Sequence, residues 1–512
     1  MKTSITIDEV NQWQYSNELN PLYLNYICTL NGHYPVQIES GFNYCELGCG
    51  VGVTLNGLAE LFPKGKFFGI DNNIDYIDAA VALAKGIDGS NIDFKLADFA
   101  GLSNAVLPDF DFIILHDIYS WIDKDARQHI QDFIANHLKE DGILYINYEA
   151  LPGGSAIAPL RNIVSFHTSG MTTDNVIKAQ SGLDYLDFMA SNEAGYFAEN
   201  TTAKQFFNDL KIKDINYVAH RLLNNSFKPY FFHQIMQEML KIGLSFSGSA
   251  ICHLNFIDLA VPLEFKEFLK TLATREQFES HGDLIRNQRF RKDIFVKPSK
   301  IMGEQEQIEI LSKIMFGTTC TENEFELMAV FGEVELSYNN DIFKRLISIL
   351  SDTPKSAVSL MDNEHLKDYS LELVVDALKF LSSGGQVYPF LMTADDSIEL
   401  DLGANRYSIS SNSNIQFLKN RLFKQNEITL IAPKAGVGIK MTMADALFTL
   451  CIAEANRDEV VDWIMQRLME ANQEILTDGA NEKDTITTGY EEFRKNRLPK
   501  FLQLGILEPA ES

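Results

Sequence analysis

Cysteines and long apolar runs are scarce in this 512-residue sequence. The six cysteines form no Cys-x-x-Cys pair and no Cys/His cluster with zinc spacing, which argues against a zinc site and a disulfide framework. No stretch of about 18 apolar residues is present that would span a bilayer. The N-terminal MKTSITIDEVNQW lacks the apolar core of a signal peptide. We therefore expect a cytoplasmic protein with reduced thiols, no metal and no membrane span.

Basic residues are also in short supply. The chain has 44 Lys and Arg against 70 Asp and Glu, which gives a formal net charge of -26. Such a surface repels polyphosphate, so nucleic acid is not expected as a partner. A basic or lysine-bearing partner fits better, although plain solubility explains the same charge equally well.

Apolar residues, in contrast, make up 46% of the chain, and its length indicates about three domains. Strand-like and helix-like patterns alternate from residue 42 to 150. The predicted strands are FNYCELG, KFFGID, NIDFKLAD, FDFIILHD and GILYINYEA. This alternation predicts a parallel sheet with helices on both faces. A ligand would then bind beyond the carboxyl ends of the strands.

The later segments have a different character. Residues 155–215 are predicted to be helical, with breaks near Gly170 and at Ser181-Gly182. A second unit covers 215–296 and ends in a basic run at 286–300. Internal ion pairing with this acidic chain explains that run better than nucleic-acid binding. After a linker at 297–305, an order of helix, turn, helix and strand indicates a winged-helix-like unit.

A glycine-rich turn follows the first predicted strand, in Cys45-Glu-Leu-Gly-Cys-Gly-Val-Gly52. The glycines permit positive φ and let a ligand touch bare backbone, and Asp71 at the end of the next strand suits the hydroxyls of a ribose. A dinucleotide site is less suitable, because Val53 and Thr54 stand where its third phosphate-motif glycine would lie. Glu46 would also disfavour a pyrophosphate but suits an amino group and a positive sulfur. A tight turn without a ligand is the remaining alternative.

This stretch resembles motif I of class I S-adenosylmethionine methyltransferases. Further stretches resemble bacterial methyltransferases that carry a methyltransferase regulatory domain, a group that includes rickettsial protein-lysine methyltransferases modifying outer membrane protein B. Those stretches are HDIYSWI, NYEALPGG, YVAHRLLNNSFKPYFF, GLSFSGSA and REQFESHGDLIRNQRFRKDIFV. Beyond residue 300 the resemblance is too weak for any residue to be transferred.

The resemblance implies an α/β fold with a Rossmann-like, seven-strand class I methyltransferase core and additional mostly helical and α+β domains. It divides the chain into a cofactor-binding core (1–165), a helical insertion that serves dimerisation (166–214), a regulatory domain able to complete the core sheet (215–296) and a C-terminal domain (297–512). S-adenosylmethionine is the implied methyl donor, S-adenosylhomocysteine its product, and a homodimer the implied assembly.

The cofactor residues implied by the resemblance follow the strands of the core. Asp98 lies where the family places an acid for the adenine amine, and His116 lines the pocket or, alternatively, acts as a general base. The whole cofactor set is Glu46, Gly48, Cys49, Gly50, Gly52, Asp71, Asn72, Asp98, Phe99 and His116. Three positions depart from the family: Asp117 replaces a usual Gly, Arg221 a usual Glu, and Thr54 stands near a common Asn.

An acceptor site is expected after the fourth and fifth strands. The aromatic faces of Tyr119, Trp121 and Tyr148 suit a lysine ammonium, a contact worth about 0.5–2 kcal/mol. Glu149 and Asp117 would align the amine or help it to lose a proton. Core packing is the alternative role of Trp121.

Three functions are compatible with these residues. The first is methylation of protein lysines, on a surface or outer membrane protein if the resemblance extends to the acceptor. The second is O- or N-methylation of a small molecule, and the third is a cofactor-binding scaffold without catalysis. Methylation of nucleic-acid bases is disfavoured, because no Asn/Asp-Pro-Pro-Tyr stretch follows the fourth strand.

Overall fold

The computed structural model describes residues 13–86, 91–297, 300–392, 402–404, 406–424, 427–456, 459–473 and 481–510. Its first part alternates strands and helices as the sequence predicts. The strands are β1 (Asn43–Leu47), β2 (Lys66–Asp71), β3 (Ile92–Leu96), β4 (Phe110–Leu115) and β5 (Leu138–Glu149), and the helices are α1 (Pro21–Leu30), α2 (Val53–Leu61), α3 (Ile74–Ala84) and α4 (Lys124–His137). Asn20, Asn73 and Asp123 cap the first turns of α1, α3 and α4.

Seven strands form the main sheet. The five parallel strands are continued by β6 (Ser245–Ser249) and β7 (Phe290–Val296), which gives the order β3-β2-β1-β4-β5-β7-β6. Strand β7 runs antiparallel to both β5 and β6. The predicted Rossmann-like seven-strand core is therefore confirmed, and the middle segment of the chain supplies its last two strands.

The two faces of the sheet bury different side chains because successive residues of a strand point to opposite sides. Tyr44 and Tyr145 belong to a large core that extends into the C-terminal half of the chain. Cys45 and Tyr148 belong to a second core on the other face, closed by α4 and by α10 (Phe232–Lys241). This alternation decides which site residues can meet.

Residues 158–223, which include the predicted helical insertion at 166–214, form a layer with a hydrophobic core of its own. Its helices are α5 (Ala158–His167), α6 (Asn175–Ser191), α7 (Gly195–Glu199), α8 (Thr201–Lys211) and α9 (Ile215–Leu223). The predicted break at Gly170 lies between α5 and α6, but the break at Ser181-Gly182 is wrong. Gly182 lies inside α6, where an added Cβ would be 2.5 Å from Cγ1 of Val164. The glycine therefore serves close helix packing.

The basic run at 286–300 forms internal ion pairs, as the sequence predicts. The Arg291 side chain, 1% exposed, bonds Asp283 at 2.6 Å, Asp293 at 2.9 Å and Glu279 at 3.0 Å. Tyr148 in turn donates to Asp293 at 2.6 Å. The run also pairs Arg286 with Asp283, Arg289 with Glu149, Lys292 with Glu18 and Lys297 with Glu140. The remaining helices of this segment are α11 (Ile257–Ala260), α12 (Leu263–Lys270) and α13 (Arg275–Arg286).

The C-terminal half contains small sheets between helices. Its elements are α14 (Glu304–Lys313), β8 (Met315–Thr318), β9 (Met328–Phe331), β10 (Val334–Ser337), α15 (Asp341–Asp352), β11 (Lys355–Ser356), α16 (Ala357–Leu360), α17 (Leu371–Ser383), β12 (Val387–Pro389), β13 (Tyr407–Ile409), α18 (Asn412–Arg421), β14 (Glu427–Ala432), β15 (Val437–Thr442), α19 (Met443–Glu454), α20 (Val460–Glu470), α21 (Glu482–Asn496), α22 (Leu498–Gln503) and β16 (Leu507–Pro509). Strands β11, β8 and β12 form one sheet, and the winged-helix-like assignment stays a prediction. Among the described helices, none is both long and apolar enough to cross a membrane.

The C-terminal half holds the N-terminal segment over the main sheet. Asn17 donates to the Gly438 carbonyl at 3.0 Å, and Asn20 bonds the Gly436 carbonyl. From the sheet side, the Tyr44 hydroxyl donates to the Leu19 carbonyl at 2.9 Å. The segment that carries Glu18 is thereby fixed against the main sheet, where Glu18 pairs with Lys292 of β7.

Candidate active site

The glycine turn between β1 and α2 requires glycine for steric reasons. Gly48, Gly50 and Gly52 all have positive φ, at 77°, 54° and 66°. A Cβ on Gly48 would lie 2.2 Å from Cδ1 of Ile118, in the loop after β4. Side chains are therefore disfavoured at these three positions, which leaves their backbone free to approach a ligand.

Asp71 at the end of β2 supports this turn. Its Oδ2 accepts from the Gly50 N–H at 3.0 Å, and its Oδ1 accepts from the Asn73 N–H at 2.9 Å. Burial raises the pKa of Asp71, and these backbone bonds oppose the rise. The carboxylate therefore fixes the glycine turn while its remaining lone pairs suit ribose hydroxyls.

Glu46 is a buried acid near the same edge of the sheet. Its side chain is 5% exposed and makes no hydrogen bond or ion pair with the part of the chain that the structure describes. Burial, and then the charge of Asp71, raise the pKa of Glu46 to about 8. A buried carboxylate without a partner is costly unless a ligand cation completes it. The amino group of S-adenosylmethionine fits that requirement.

The other predicted cofactor residues surround the same strand ends. Asp98, after β3, is exposed and accepts from the Gly101 N–H at 2.8 Å. Asn72 is exposed, Phe99 is half-buried against the second core, and Cys49 is buried in the glycine turn. These positions are compatible with adenosine binding along the ends of β2 and β3.

Asp117 explains one departure from the family pattern. Its φ is 55°, a left-handed conformation that glycine adopts most easily, and Asp tolerates it better than most residues. The Asp117 N–H donates to Asn147 Oδ1 at 2.6 Å, and Asn147 Nδ2 donates back to Asp117 Oδ1 at 3.1 Å. Asp in place of Gly adds a carboxylate at the site, and its two bonds with Asn147 link the ends of β4 and β5.

Sequence reasoning missed three residues beside this pair. Lys292 donates to Glu18 at 2.5 Å. Burial disfavours ionisation of Glu18, but Lys292 and His116 outweigh it, so the pKa of Glu18 lies below its ordinary value. Tyr145 is fully buried, its ring centroid lies 6.2 Å from that of His116, and its hydroxyl has no hydrogen-bond partner among the described residues. Only strand alternation, which places Tyr145 and Asn147 on one face, could have indicated any of them.

Two of the predicted acceptor aromatics lie on the opposite face of the sheet. The Tyr119 hydroxyl donates to Glu238 at 2.5 Å and accepts from Gln131 at 2.8 Å. The Tyr148 hydroxyl donates to Asp293. Both rings belong to the second core. This placement corrects the sequence-based assignment, and we do not retain Tyr119 or Tyr148 as acceptor contacts.

Trp121 and Glu149 are already engaged with arginines of the chain. The Arg221 guanidinium lies 4.6 Å and that of Arg161 5.2 Å from the Trp121 ring centroid. Glu149 bonds Arg221 at 2.5 Å and lies 3.8 Å from Arg289. Cations that occupy these groups would repel a lysine ammonium. The structure therefore corrects this part of the expected lysine cage as well and leaves Asp117 as its one accessible member within the described residues.

Two family models and several proteins of other organisms are similar to this chain. Residues 38–182 match the family model described as "Methyltransferase domain", and residues 214–297 match "Predicted methyltransferase regulatory domain". An uncharacterized protein of Synechocystis sp. is 28% identical over 511 residues, with 97% of this chain and 98% of that protein covered. An uncharacterized protein of Rickettsia prowazekii is 28% identical over 288 residues, which cover 56% of this chain and 51% of that protein.

A solved structure shares the fold over nearly the whole chain. The structure of PKMT2 from Rickettsia typhi in complex with AdoHcy superposes with a TM-score of 0.71. The superposition covers 96% of this chain and 99% of that one at 18% sequence identity. At this identity the likeness concerns the fold, including the arrangement of the C-terminal half around the main sheet.

Proposed function

We propose that this chain, an S-adenosylmethionine-dependent methyltransferase with a methyltransferase regulatory domain, transfers methyl groups to lysine side chains of a protein. The observation that carries the proposal is the acidic lining of the strand ends. Glu46 and Asp71 lie on the cofactor side, and the exposed Asp117 lies farther along the same edge, near Glu18, which is paired with Lys292. Such a surface attracts ammonium groups. The sequence resemblance to rickettsial protein-lysine methyltransferases supports the same acceptor and an outer membrane protein as its source.

The residues of the chain have separate tasks in this reaction. When bound, the cofactor supplies a methyl group on a positive sulfur. Glu46 would hold the amino group of the cofactor, and Asp71 its ribose. Asp117, at the exposed mouth, would attract the lysine ammonium, and the buried Tyr145 hydroxyl would accept or donate the hydrogen bond that aligns the amine.

Proton loss is required before transfer, because only a neutral amine attacks and free lysine has a pKa of about 10.4. Burial beside Tyr145 lowers the pKa of the amine, whereas Asp117 raises it. Glu18 is a weak base, since Lys292 and His116 hold its pKa low. The proton therefore leaves to water at the mouth of the site.

Identification of the methylated product tests the proposal. We expect labelled S-adenosylmethionine and an unstructured lysine-containing polypeptide to yield methyl-lysine after hydrolysis, as detected by mass spectrometry. The Tyr145→Phe variant should lose 10-fold or more in kcat, while cofactor affinity and the free energy of unfolding stay unchanged, since the hydroxyl has no partner to lose.

The matched control is Tyr230→Phe, which removes another buried hydroxyl without a described partner, on the other face of the sheet. It should leave kcat unchanged. Equal losses in both variants would argue against a role for Tyr145. A labelled ester or small metabolite, with no methyl-lysine, would overturn the lysine proposal and favour small-molecule methylation. Cofactor binding without any turnover would favour the scaffold alternative.

We also propose a homodimer built on the helical insertion. The packed helices α5 and α6 expose large apolar side chains, with Phe166 75% and Phe188 64% exposed. Light scattering should give twice the chain mass of 57.8 kDa, and a Phe166→Asp/Phe188→Asp variant should give the monomer mass. Phe268→Asp on α12 is the control, because that exposed phenylalanine lies outside the insertion. A monomer mass for the native protein at micromolar concentration would refute the dimer.

A further inference from the structure

A cluster of arginines and aromatic rings borders the proposed acceptor site. Arg161 of α5 lies 4.0 Å from the Phe227 ring centroid, and Arg221 of α9 lies over Trp121. The rings of Trp121 and Phe227 are 4.6 Å apart, and His220 lies 4.8 Å from Trp121. Both guanidiniums therefore lie against aromatic rings, a contact that the planar arginine side chain favours.

Positive charge exceeds negative charge in this cluster. Glu149 is shared by Arg221 and Arg289. Arg161 donates through Nη2 to the Asn224 carbonyl at 2.6 Å, but its Nη1 is buried and has no hydrogen-bond partner in the described part of the chain. Burial, and then the neighbouring Arg221, lower the pKa of Arg161 to about 9. The same factors lower the pKa of His220 to about 4, so it adds no charge near neutral pH.

The cluster lies next to the group proposed to receive the amine. Trp121 follows β4, and Glu149 is the last residue of β5, so both adjoin the strand ends that Asp117 and Asn147 link. The charge of Asp117 acts on both His220 and Arg221. An acceptor bound at Asp117 would therefore lie near both an acidic group and a cluster with more positive than negative charge.

We propose that this arginine cluster binds a carboxylate of the acceptor protein, from an Asp or Glu side chain within a few residues of the methylated lysine. This inference rests on the proposed function and names its specificity. A planar guanidinium can bind a carboxylate through two hydrogen bonds. A ligand carboxylate would supply the partner that Arg161 Nη1 lacks and balance the excess charge. Because the arginine cluster lies near Asp117, the lysine amine and the carboxylate must be close together in the acceptor.

A pair of peptides tests the inference. Both contain one lysine; in one it is flanked by glutamates and in the other by glutamines. Binding is measured by fluorescence anisotropy with S-adenosylhomocysteine present, and methylation by mass spectrometry. The native protein should bind the glutamate peptide at least 10-fold more tightly. Arg161→Gln should remove that difference by weakening the glutamate peptide alone, and a cooperative thermal unfolding transition verifies that the variant is folded.

The control is Lys124→Gln, at an exposed cation on α4, which should leave both affinities unchanged. Equal binding of the two peptides by the native protein overturns the inference, and so does an Arg161→Gln variant that weakens both equally. Tight, Arg161-dependent binding of the glutamate peptide without any methyl-lysine would sustain the carboxylate site and reject lysine methylation. The two proposals can therefore fail separately.

Discussion

Replacing Glu46 with glutamine should stabilise the cofactor-free protein at high pH and weaken its binding of S-adenosylmethionine. We expect cofactor affinity to fall about 10- to 100-fold, the range for losing a hydrogen bond to a charged group. The free energy of unfolding should rise relative to the native protein, on the order of 5 kcal/mol at about pH 9.

The pKa of Glu46 explains both effects. In the folded protein it is raised from 4.5 to about 8, so the folded state keeps a proton that the unfolded chain has lost. The stability of the native protein therefore falls as the pH rises from roughly 5 to 8 and is level above that range. Glutamine at position 46 does not titrate, so the variant does not lose stability in this pH range. The difference between variant and native protein should thus be small at about pH 4 and largest above about pH 8.

Cofactor binding should release the proton that Glu46 retains in the cofactor-free protein. Pairing with an ammonium requires the ionised carboxylate, so the native protein should release a proton on binding at about pH 6.5 and bind more tightly as the pH rises to about 8. Titration calorimetry in two buffers of different ionisation enthalpy measures this release. Glu39→Gln, at an exposed acid, is the control and should release the proton as the native protein does. Undiminished proton release by Glu46→Gln would exclude Glu46 from the cofactor site.

The parts of the site that could be predicted are those set by neighbouring residues along the chain. The glycine turn, with Glu46 before it and Asp71 at the next strand end, is local in sequence, and the structure brings these residues together. Short apolar runs between helical patterns likewise predict β1 to β5, because strands of such a sheet are covered by helices on both faces. The seven-strand core followed from the resemblance, and the sheet confirms it.

The acceptor residues were less predictable because their partners are distant in sequence. Tyr148 and Glu149 are adjacent in β5, so their side chains must point to opposite faces and cannot line one cage. That signal was present in the sequence. The partner of Tyr148, Asp293, is 145 residues away, and no local pattern indicates it. Arg221 in place of the usual Glu becomes intelligible only when Glu149 is seen beside it.

The Arg291 cluster gives the second large expected effect. Replacing Arg291 with methionine should lower the free energy of unfolding by about 3–5 kcal/mol at about pH 8, because breaking a buried ion pair leaves uncompensated charge. Three carboxylates, those of Glu279, Asp283 and Asp293, would remain in a site where Arg291 is 1% exposed. Since β7 carries this cluster into the main sheet, the loss should loosen the regulatory domain from the methyltransferase core.

The effect of Arg291→Met should also depend on pH. Burial already raises the pKa of Asp283 to about 6, against the pull of Arg291, and removal of Arg291 raises the pKa of each carboxyl further. The folded variant then binds protons that the unfolded chain does not, so its deficit should shrink as the pH falls from about 8 to 5. Adding Asp293→Asn should recover part of the loss at about pH 8. Urea unfolding at both pH values provides the measurement.

Lys297→Met is the control, because this cation follows the same strand but is partly exposed, 3.6 Å from Glu140. An exposed pair of this kind contributes about 1 kcal/mol or less, so its loss should be small and nearly independent of pH. If Arg291→Met cost no more than this control, or an equal amount at both pH values, the cluster would not be the electrostatic link between β7 and the core. In that case apolar packing of Phe295 and Ile294 against the two cores would be what retains the last strands in the sheet.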